Sequence, residues 1–403
     1  MYINFWYPII LSKDLKPLKP EKIKVLGVNL VAFRGEDGQP HVLSDTCCHR
    51  GGSLGGNWTG GDESPRVINN AIVCPYHGWE FGGHGKCVNI PSIGYGSKVP
   101  SRARIDAYPV QEKYEIVFAF LGDLQAADRP PLLEIEEFDH EGWRTNEILS
   151  FDVNYYYERS VENGLDPAHN EFVHPTHGFL GKNRDNYKVS PIDVEDHKQG
   201  WGFWFMHTFD APKLPANDDP TSKGTTPWGK VKTKRSQVEA GGGTLGPNAL
   251  ITHIKITPQM GFRQYFFEQP IDENKTRIFF INNRNFLLDP TMDDAIHERN
   301  FIIAQQDIDI LDGLNPIQTP LKNKEEVLVP ADLPIITYRA WLDKFKNKGW
   351  KIDLEKLKSN SLNNKAYSIP GPGRQQSKNY PIDSVPLVKK SQAERPVLRI
   401  TKN

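Results

Sequence analysis

The feature that most constrains this chain is a pair of short loops, Cys47-Cys48-His49-Arg50 and Cys74-Pro75-Tyr76-His77-Gly78-Trp79. Each offers one thiol and one imidazole, and 24 residues lie between His49 and Cys74. All four cysteines, Cys47, Cys48, Cys74 and Cys87, fall within 41 of 403 positions. Thiols so few and so clustered point to a metal site rather than a disulfide framework. Two metal arrangements use this ligand set. One tetrahedral zinc would take all four side chains and stabilise a binding module. A two-iron cluster would take both cysteines on one iron and both histidines on the other. Neutral imidazoles in place of two thiolates then raise the reduction potential.

The rest of the chain must bring those loops together. Hydrophobic residues make up 38%, with 20 Phe, 14 Tyr, 31 Pro and 33 Gly, which suits strands and loops better than a helical bundle. Alternation at Lys22–Val25 and the apolar run Ile116–Leu121 predict an all-β unit over residues 1–122. Residues 123–145 carry Pro130-Pro131 and many acids and read as a linker. The second unit, 146–329, reads as α+β, with a central antiparallel sheet flanked by helices. Strands are expected over 249–286 around a turn at Pro270–Asn274, and one helix over 291–314. Residues 210–248 read as a solvated loop with a basic cluster at Lys230, Lys232, Lys234 and Arg235. Residues 330–403 form an extension with one further helical stretch, expected to pack on the second unit.

Lys+Arg of 49 against Asp+Glu of 50 gives a net charge of -1, so no basic balance calls for nucleic acid or an anionic membrane. No stretch reaches the roughly 18 apolar residues of a membrane span. The opening MYINFWYPIIL lacks a basic region before its apolar run, so the expectation is a cytoplasmic protein.

A second constellation follows: Asn163, Asp166 and His169 at intervals of three, then His174. On a helix-like segment the first three share a side. Asp166 before Pro167 suggests a helix restart, with Asp166 as N-cap and Pro167 in the first helical position. Two imidazoles and one carboxylate are the ligand set of a non-haem Fe(II) site with open positions. The helix at 291–314 offers the carboxylate. Ile303, Asp307, Ile310, Leu311 and Leu314 form an apolar inward stripe interrupted by one acid. A buried unpaired carboxylate is costly, and a metal partner explains it. Asp309 and Asp312 share a face with Gln305 and Gln306, which reads as solvated.

The motifs C-x-H-R-G-G and C-P-Y-H-G-W-x-F, with Gly85-Lys86-Cys87-Val88-Asn89-Ile90-Pro91 downstream, closely resemble the Rieske [2Fe–2S] domain of ring-hydroxylating oxygenases. The N-x2-D-x2-H-x4-H pattern with a later helical Asp is similar to the catalytic domain of Rieske oxygenase α subunits, and the resemblance spans about residues 5–315. The interval between the loops is longer than is usual there, by the polar turn segment Asn57–Pro65. Residues 330–342 loosely resemble the pheophorbide-oxygenase-type branch.

The resemblance implies Cys47, His49, Cys74 and His77 as cluster ligands, with Cys48 and Cys87 outside the set. It implies His169, His174 and Asp307 as ligands of a mononuclear Fe(II), with His177 a lesser candidate near the site. It gives Asp166 the role of a bridge between iron centres and Asn163 a supporting polar role. The implied activity is O2-dependent hydroxylation or oxidative demethylation of an organic, aromatic or cyclic substrate. Electrons would come from an NAD(P)H-dependent flavin reductase or a ferredoxin, in a homotrimer. A Rieske electron-transfer protein without oxygenase activity is the alternative, and the second ligand set argues against it.

Overall fold

Alternating and fully apolar segments build the first unit. Its strands are β1 (Phe5–Leu11), β2 (Glu21–Val25), β3 (Val28–Arg34), β4 (Pro40–Ser44), β5 (Val67–Ile68), β6 (Ala71–Val73), β7 (Glu80–Gly82), β8 (Cys87–Asn89), β9 (Ala107–Tyr108), β10 (Val110–Lys113) and β11 (Ile116–Leu121). Every residue of β11 is buried, because the strand is central in the sheet β1-β11-β10. The unit also holds two four-stranded sheets, β2-β3-β4-β9 and β5-β6-β7-β8. The structure, a computed structural model, describes all residues except 62–64, 176–184, 186, 211–236 and 391–403. His177 and the cluster Lys230, Lys232, Lys234 and Arg235 lie outside the described residues.

The chain divides between Leu132 and Leu133, inside the segment read as a linker. The second unit carries β12 (Arg144–Thr145), β13 (Leu149–Val153), α1 (Tyr157–Leu165), α2 (Asn170–Val173), β14 (Asp193–Asp196), β15 (Gly202–Asp210), β16 (Gln237–Leu245), β17 (Ala249–Lys255), β18 (Gly261–Pro270), β19 (Thr276–Arg284) and α3 (Asp293–Leu311). Its strands form one eight-stranded sheet in the order β12-β19-β18-β17-β16-β15-β14, with β13 also on β19. The α+β expectation with a central antiparallel sheet therefore holds. Strand β16 was not legible within the expected 210–248 loop. Its Gly241-Gly242-Gly243 run shows no alternation, and pairing to β15 and β17 alone makes it a strand. A Cβ on Gly241 would lie 2.1 Å from the Phe205 carbonyl oxygen, so close pairing there requires glycine.

The tail departs from expectation in two ways. It holds two longer helices rather than one, α4 (Leu333–Asn347) and α5 (Leu354–Leu362). From Lys344 onward the described tail packs with the first unit, not on the second. The cause is Asp106, which is 1% exposed and needs partners. Arg374 grips it through Nε at 2.8 Å and Nη2 at 2.7 Å, and the Gly371 amide donates at 2.8 Å. The Tyr108 hydroxyl donates to the Ile369 carbonyl at 2.7 Å alongside. Among the described residues no helix is long and apolar enough to cross a membrane.

Candidate metal centres

The two Cys/His loops are built alike from the backbone up. Cys47 follows β4 and Cys74 follows β6. In each, the cysteine amide donates to the carbonyl five residues on: Cys47 to Gly52 and Cys74 to Trp79, both at 2.8 Å. The amides of Gly51 and Gly78 donate back to the Cys47 and Cys74 carbonyls, both at 3.0 Å. That closure needs a left-handed residue, and Gly51 and Gly78 supply φ values of 73° and 70°. The histidine stands second after Cys47 but third after Cys74. Even so, the His49 and His77 rings meet with centroids 4.6 Å apart. Trp79 stacks on His49 at 4.5 Å and 6°, which fixes the ring's plane.

The site is polarised. Cys47 and Cys74 are 2% and 1% exposed, whereas both histidines are exposed. The two thiols share a hydrogen bond; contact with Cys48 and burial push Cys47 up to about 11, and contact with Cys47 followed by burial raises Cys74. Buried, facing thiols ionise only beside a cation, so the pair suits a metal. A single zinc would gather all four donor atoms within about 4 Å of one another. Among the described residues the one such convergence of three or more groups, within 4.8 Å, is His169, His174 and Asp307. The loops instead present a thiol pair and an imidazole pair, the donor set that two bridged irons require. Cys87 packs into the apolar core around these loops, with Leu43, Ile72 and Phe81.

The second centre begins with a close approach. Helix α1 lies against β16 and β17, where a Cβ on Gly164 would fall 2.2 Å from Leu250 Cδ2. Asn163 is thereby carried over the sheet, and its Nδ2 donates to Asp307 Oδ1 at 3.0 Å. Asp166 is not an N-cap. Its Oδ1 accepts from the Ala168 amide at 2.7 Å, a local turn that competes with helix formation. The next helix, α2, starts at Asn170 with His169 in the N-cap position, and His174 ends it. The two histidines therefore flank a single turn and face each other.

Their geometry converges. His169 Nε2 and His174 Nε2 are 3.1 Å apart, and Asp307 Oδ1 lies 3.6 Å and 3.3 Å from them respectively. Each Nδ1 faces an acceptor: His169 the Asp166 backbone carbonyl at 2.6 Å, His174 the Gln306 Oε1 at 3.1 Å. Acceptors there favour the Nδ1–H tautomer and leave both Nε2 lone pairs free for a metal. Burial lowers His169 against the opposing pull of Asp307, which keeps the imidazole neutral. Burial opposes ionisation of Asp307, yet the nearness of the two histidine rings and the Asn163 amide holds its carboxyl below the usual range. Neutral imidazoles and an ionised carboxylate are what a divalent iron takes.

Helix α3 partly follows its predicted stripe. Ile303, Asp307 and Leu311 face inward, but Ile310 is 54% exposed. The buried face runs through Asn300, Ala304, Asp307 and Leu311, at steps of four, three and four, and turns Ile310 outward. Asp309 is exposed and bonded to Gln305 at 2.7 Å, as expected of the solvated face. Gln306 was expected there too, but it is half-buried and orients His174. Asp166 likewise meets His169 through its backbone carbonyl rather than its carboxylate. Burial raises that carboxyl, with the nearby His169 ring and the Ala168 amide opposing.

Asp307 and both histidines border a cavity of about 230 Å³. Alternate residues of the sheet wall it, among them Phe205 and Phe209 of β15, Leu250 and Ile254 of β17, and Phe262 and Phe266 of β18. His207, between Phe205 and Phe209, is lowered to about 4 by burial and stands in the wall as a neutral imidazole.

Comparison with known proteins agrees with both halves. Residues 5–108 match the Rieske [2Fe-2S] domain, and residues 153–347 match the vanillate O-demethylase oxygenase C-terminal domain. The chain is 24% identical over 348 residues to the chloroplastic protein TIC 55 of Pisum sativum, covering 84% of this chain and 57% of the relative. It is 33% identical over 205 residues to the phenoxybenzoate dioxygenase α subunit of Ectopseudomonas oleovorans, covering 48% and 47%. The chain thus spans about half the length of the curated relatives it matches. In fold it resembles Pseudomonas putida CBB5 NdmA solved with caffeine, at a TM-score of 0.65 and 22% identity over 97% of this chain and 98% of that one. It also resembles dicamba monooxygenase bound to dicamba, at a TM-score of 0.64 and 19% identity over 85% and 96%.

Proposed function

The chain belongs to the Rieske oxygenases, and from that premise we propose that it is the terminal oxygenase of a Rieske non-haem iron system. It would use O2 and electrons from a flavin reductase or ferredoxin to hydroxylate or oxidatively demethylate a largely apolar cyclic compound. The observation that carries the reading is the convergence of His169, His174 and Asp307 on the border of an aromatic-walled cavity. The cofactors are a Rieske cluster, which Cys47, Cys74, His49 and His77 would hold, and a mononuclear iron for the three convergent ligands. When bound, these irons supply one-electron transfer and O2 activation.

The residues divide the remaining work. Cys47 and Cys74 would hold the cluster from the buried side, and His49 and His77, both exposed, would hold it from the side open to a partner surface. Asn163 fixes one oxygen of Asp307. Gln306 and the Asp166 carbonyl hold the imidazole tautomers. The phenyl walls exclude water and orient an apolar ring. The exposed histidine edge supports a further reading, a head-to-tail homotrimer in which one chain's His77 faces the next chain's iron site across Asp166.

The test is metal analysis. The purified protein should hold about three irons per chain. His169→Ala should lose about one and keep a red-brown cluster spectrum. Zinc at the first site, or full iron retention in that variant, would overturn the assignment. Mixing His77→Ala and His169→Ala chains should restore partial activity if electrons cross between subunits. Inactive mixed trimers would place the path within one chain.

A further inference from the structure

The oxygenase reading makes a demand that the iron ligands do not meet. Hydroxylation balances as RH + O2 + 2e⁻ + 2H⁺ → ROH + H2O, with O2 as oxidant and the reductase or ferredoxin as reductant. Two protons must reach an apolar cavity in each turnover.

One acid stands apart from every interaction described so far. Glu268 on β18 is 0% exposed. Its Oε1 accepts from the Ser160 hydroxyl at 2.7 Å, and its Oε2 has no hydrogen-bond partner. Ser160 lies on α1 one turn before Asn163, so both face the same side of the helix, and both border the cavity. The Tyr155 hydroxyl, also on the cavity wall, shares a hydrogen bond with Ser160 and lies near both Glu268 and Asp307. We propose that Glu268 is the proton store of this site, delivering through the Ser160 hydroxyl to the cavity beside the iron ligands.

The step balances simply. For delivery the Ser160 hydroxyl turns from Glu268 to the cavity with the Glu268 proton on Oε1; that O–H bond breaks as the proton moves to Ser160 Oγ, and the Ser160 hydroxyl proton passes to the acceptor in the cavity. The carboxylate left behind is recharged by the reverse path when the cavity next meets water. A carboxyl group with one hydroxyl neighbour and no solvent is stable only while neutral. Burial accordingly raises Glu268 to about 8, against the Ser160 hydrogen bond. The titratable group facing it is the Tyr155 phenol, itself raised by burial, and no cation contributes to either shift. A glutamine would fill the same space without the cost of ionisation; an acid there keeps a transferable proton.

The proposal rests on the oxygenase reading, and the experiment separates the two. With the iron-loaded protein and its electron donor, O2 uptake is followed against pH for wild type, Glu268→Gln and Ser160→Ala, and iron content is checked in each. Infrared spectra at neutral pH seek the C=O stretch of a protonated carboxyl in wild type that is missing from Glu268→Gln. Wild-type uptake should fall as pH rises through about 8, because the donor form is lost. Glu268→Gln should keep its iron, slow roughly 100-fold and lose that limb. Ser160→Ala should slow comparably while the carboxyl band persists, which also serves if Glu268→Gln fails to fold. Unchanged rates and pH profiles in both variants, or no protonated-acid band in wild type, would sink the relay. Absent O2 uptake by iron-loaded wild type would sink the oxygenase reading itself, and the relay with it.

Discussion

Asn163 Nδ2 lies 3.0 Å from Asp307 Oδ1, the same oxygen that faces both histidine Nε2 atoms. A helix otherwise concerned with packing on the sheet thus holds the carboxylate of another helix in position for a metal. Asp307→Ala should empty the mononuclear site and leave the cluster spectrum unchanged, while Asp309→Ala should bind iron as wild type does. Iron titration followed by chelator competition checks both. Asn163→Ala should weaken iron by roughly 10–100-fold, the cost of losing a partner that orients a ligand.

Gln306 makes the corresponding hydrogen bond to His174 Nδ1. Gln306→Leu keeps the volume but removes the acceptor, so the imidazole loses its preferred tautomer. Iron affinity should drop by roughly 10–100-fold with no loss of fold. Gln305→Leu, one residue away on the exposed side, is the control and should bind normally.

Gly164 sets how near α1 comes to the sheet. Its replacement by Ala puts a methyl 2.2 Å from Leu250 Cδ2, in a place where Leu250 is 3% exposed and has little room to move. Thermal unfolding should show a loss of about 1–3 kcal/mol. Iron should weaken as well, since Asn163 and the His169 turn move with the helix.

Arg374→Ala should be the most damaging change in the first unit. It strips Asp106, 1% exposed, of its two-pronged partner and leaves a buried carboxylate. About 3–5 kcal/mol should be lost. Denaturation followed by bleaching of the cluster absorbance reports this unit alone, and Arg374→Lys should recover only part of the loss.

Folding stability should also depend on pH through Glu268. Its pKa is raised in the folded protein from an ordinary 4.5 to about 8. The folded state therefore binds the proton more tightly. The stability this contributes is full below about 4.5 and is lost as pH rises through about 8. Denaturant midpoints of Glu268→Gln across this window should fall less steeply than those of wild type.

The residues of the two candidate metal centres were legible because their spacing is short and their chemistry is rare. C-x-H, C-x2-H and N-x2-D-x2-H-x4-H each lie within a dozen residues, where the backbone fixes what can meet. Asp307 was legible from one helical stripe. What escaped depends on contacts far along the chain. Gln306 sits on a helix face that periodicity assigns to solvent, and only the nearness of His174 gives it a role. Strand β16 has no side-chain pattern in its three glycines, and its neighbours define it. The acid at Glu268 looks like any strand residue until Ser160, 108 positions earlier, is seen against it.

The grip of Arg374 on Asp106 spans 268 residues of sequence. At the pace of synthesis, roughly 5–20 residues per second, the carboxylate emerges from the ribosome some 15–50 s before its guanidinium, by an order-of-magnitude estimate. Throughout that interval the second unit is being made, while the first already has both Cys/His loops. The first unit cannot reach its final stability until residue 374 is out, so its metal centre matures late or on an incompletely fastened scaffold. Protease protection of stalled nascent chains should rise at the Cys47 and Cys74 loops only once Arg374 has emerged; protection already complete at residue 132 would contradict this order.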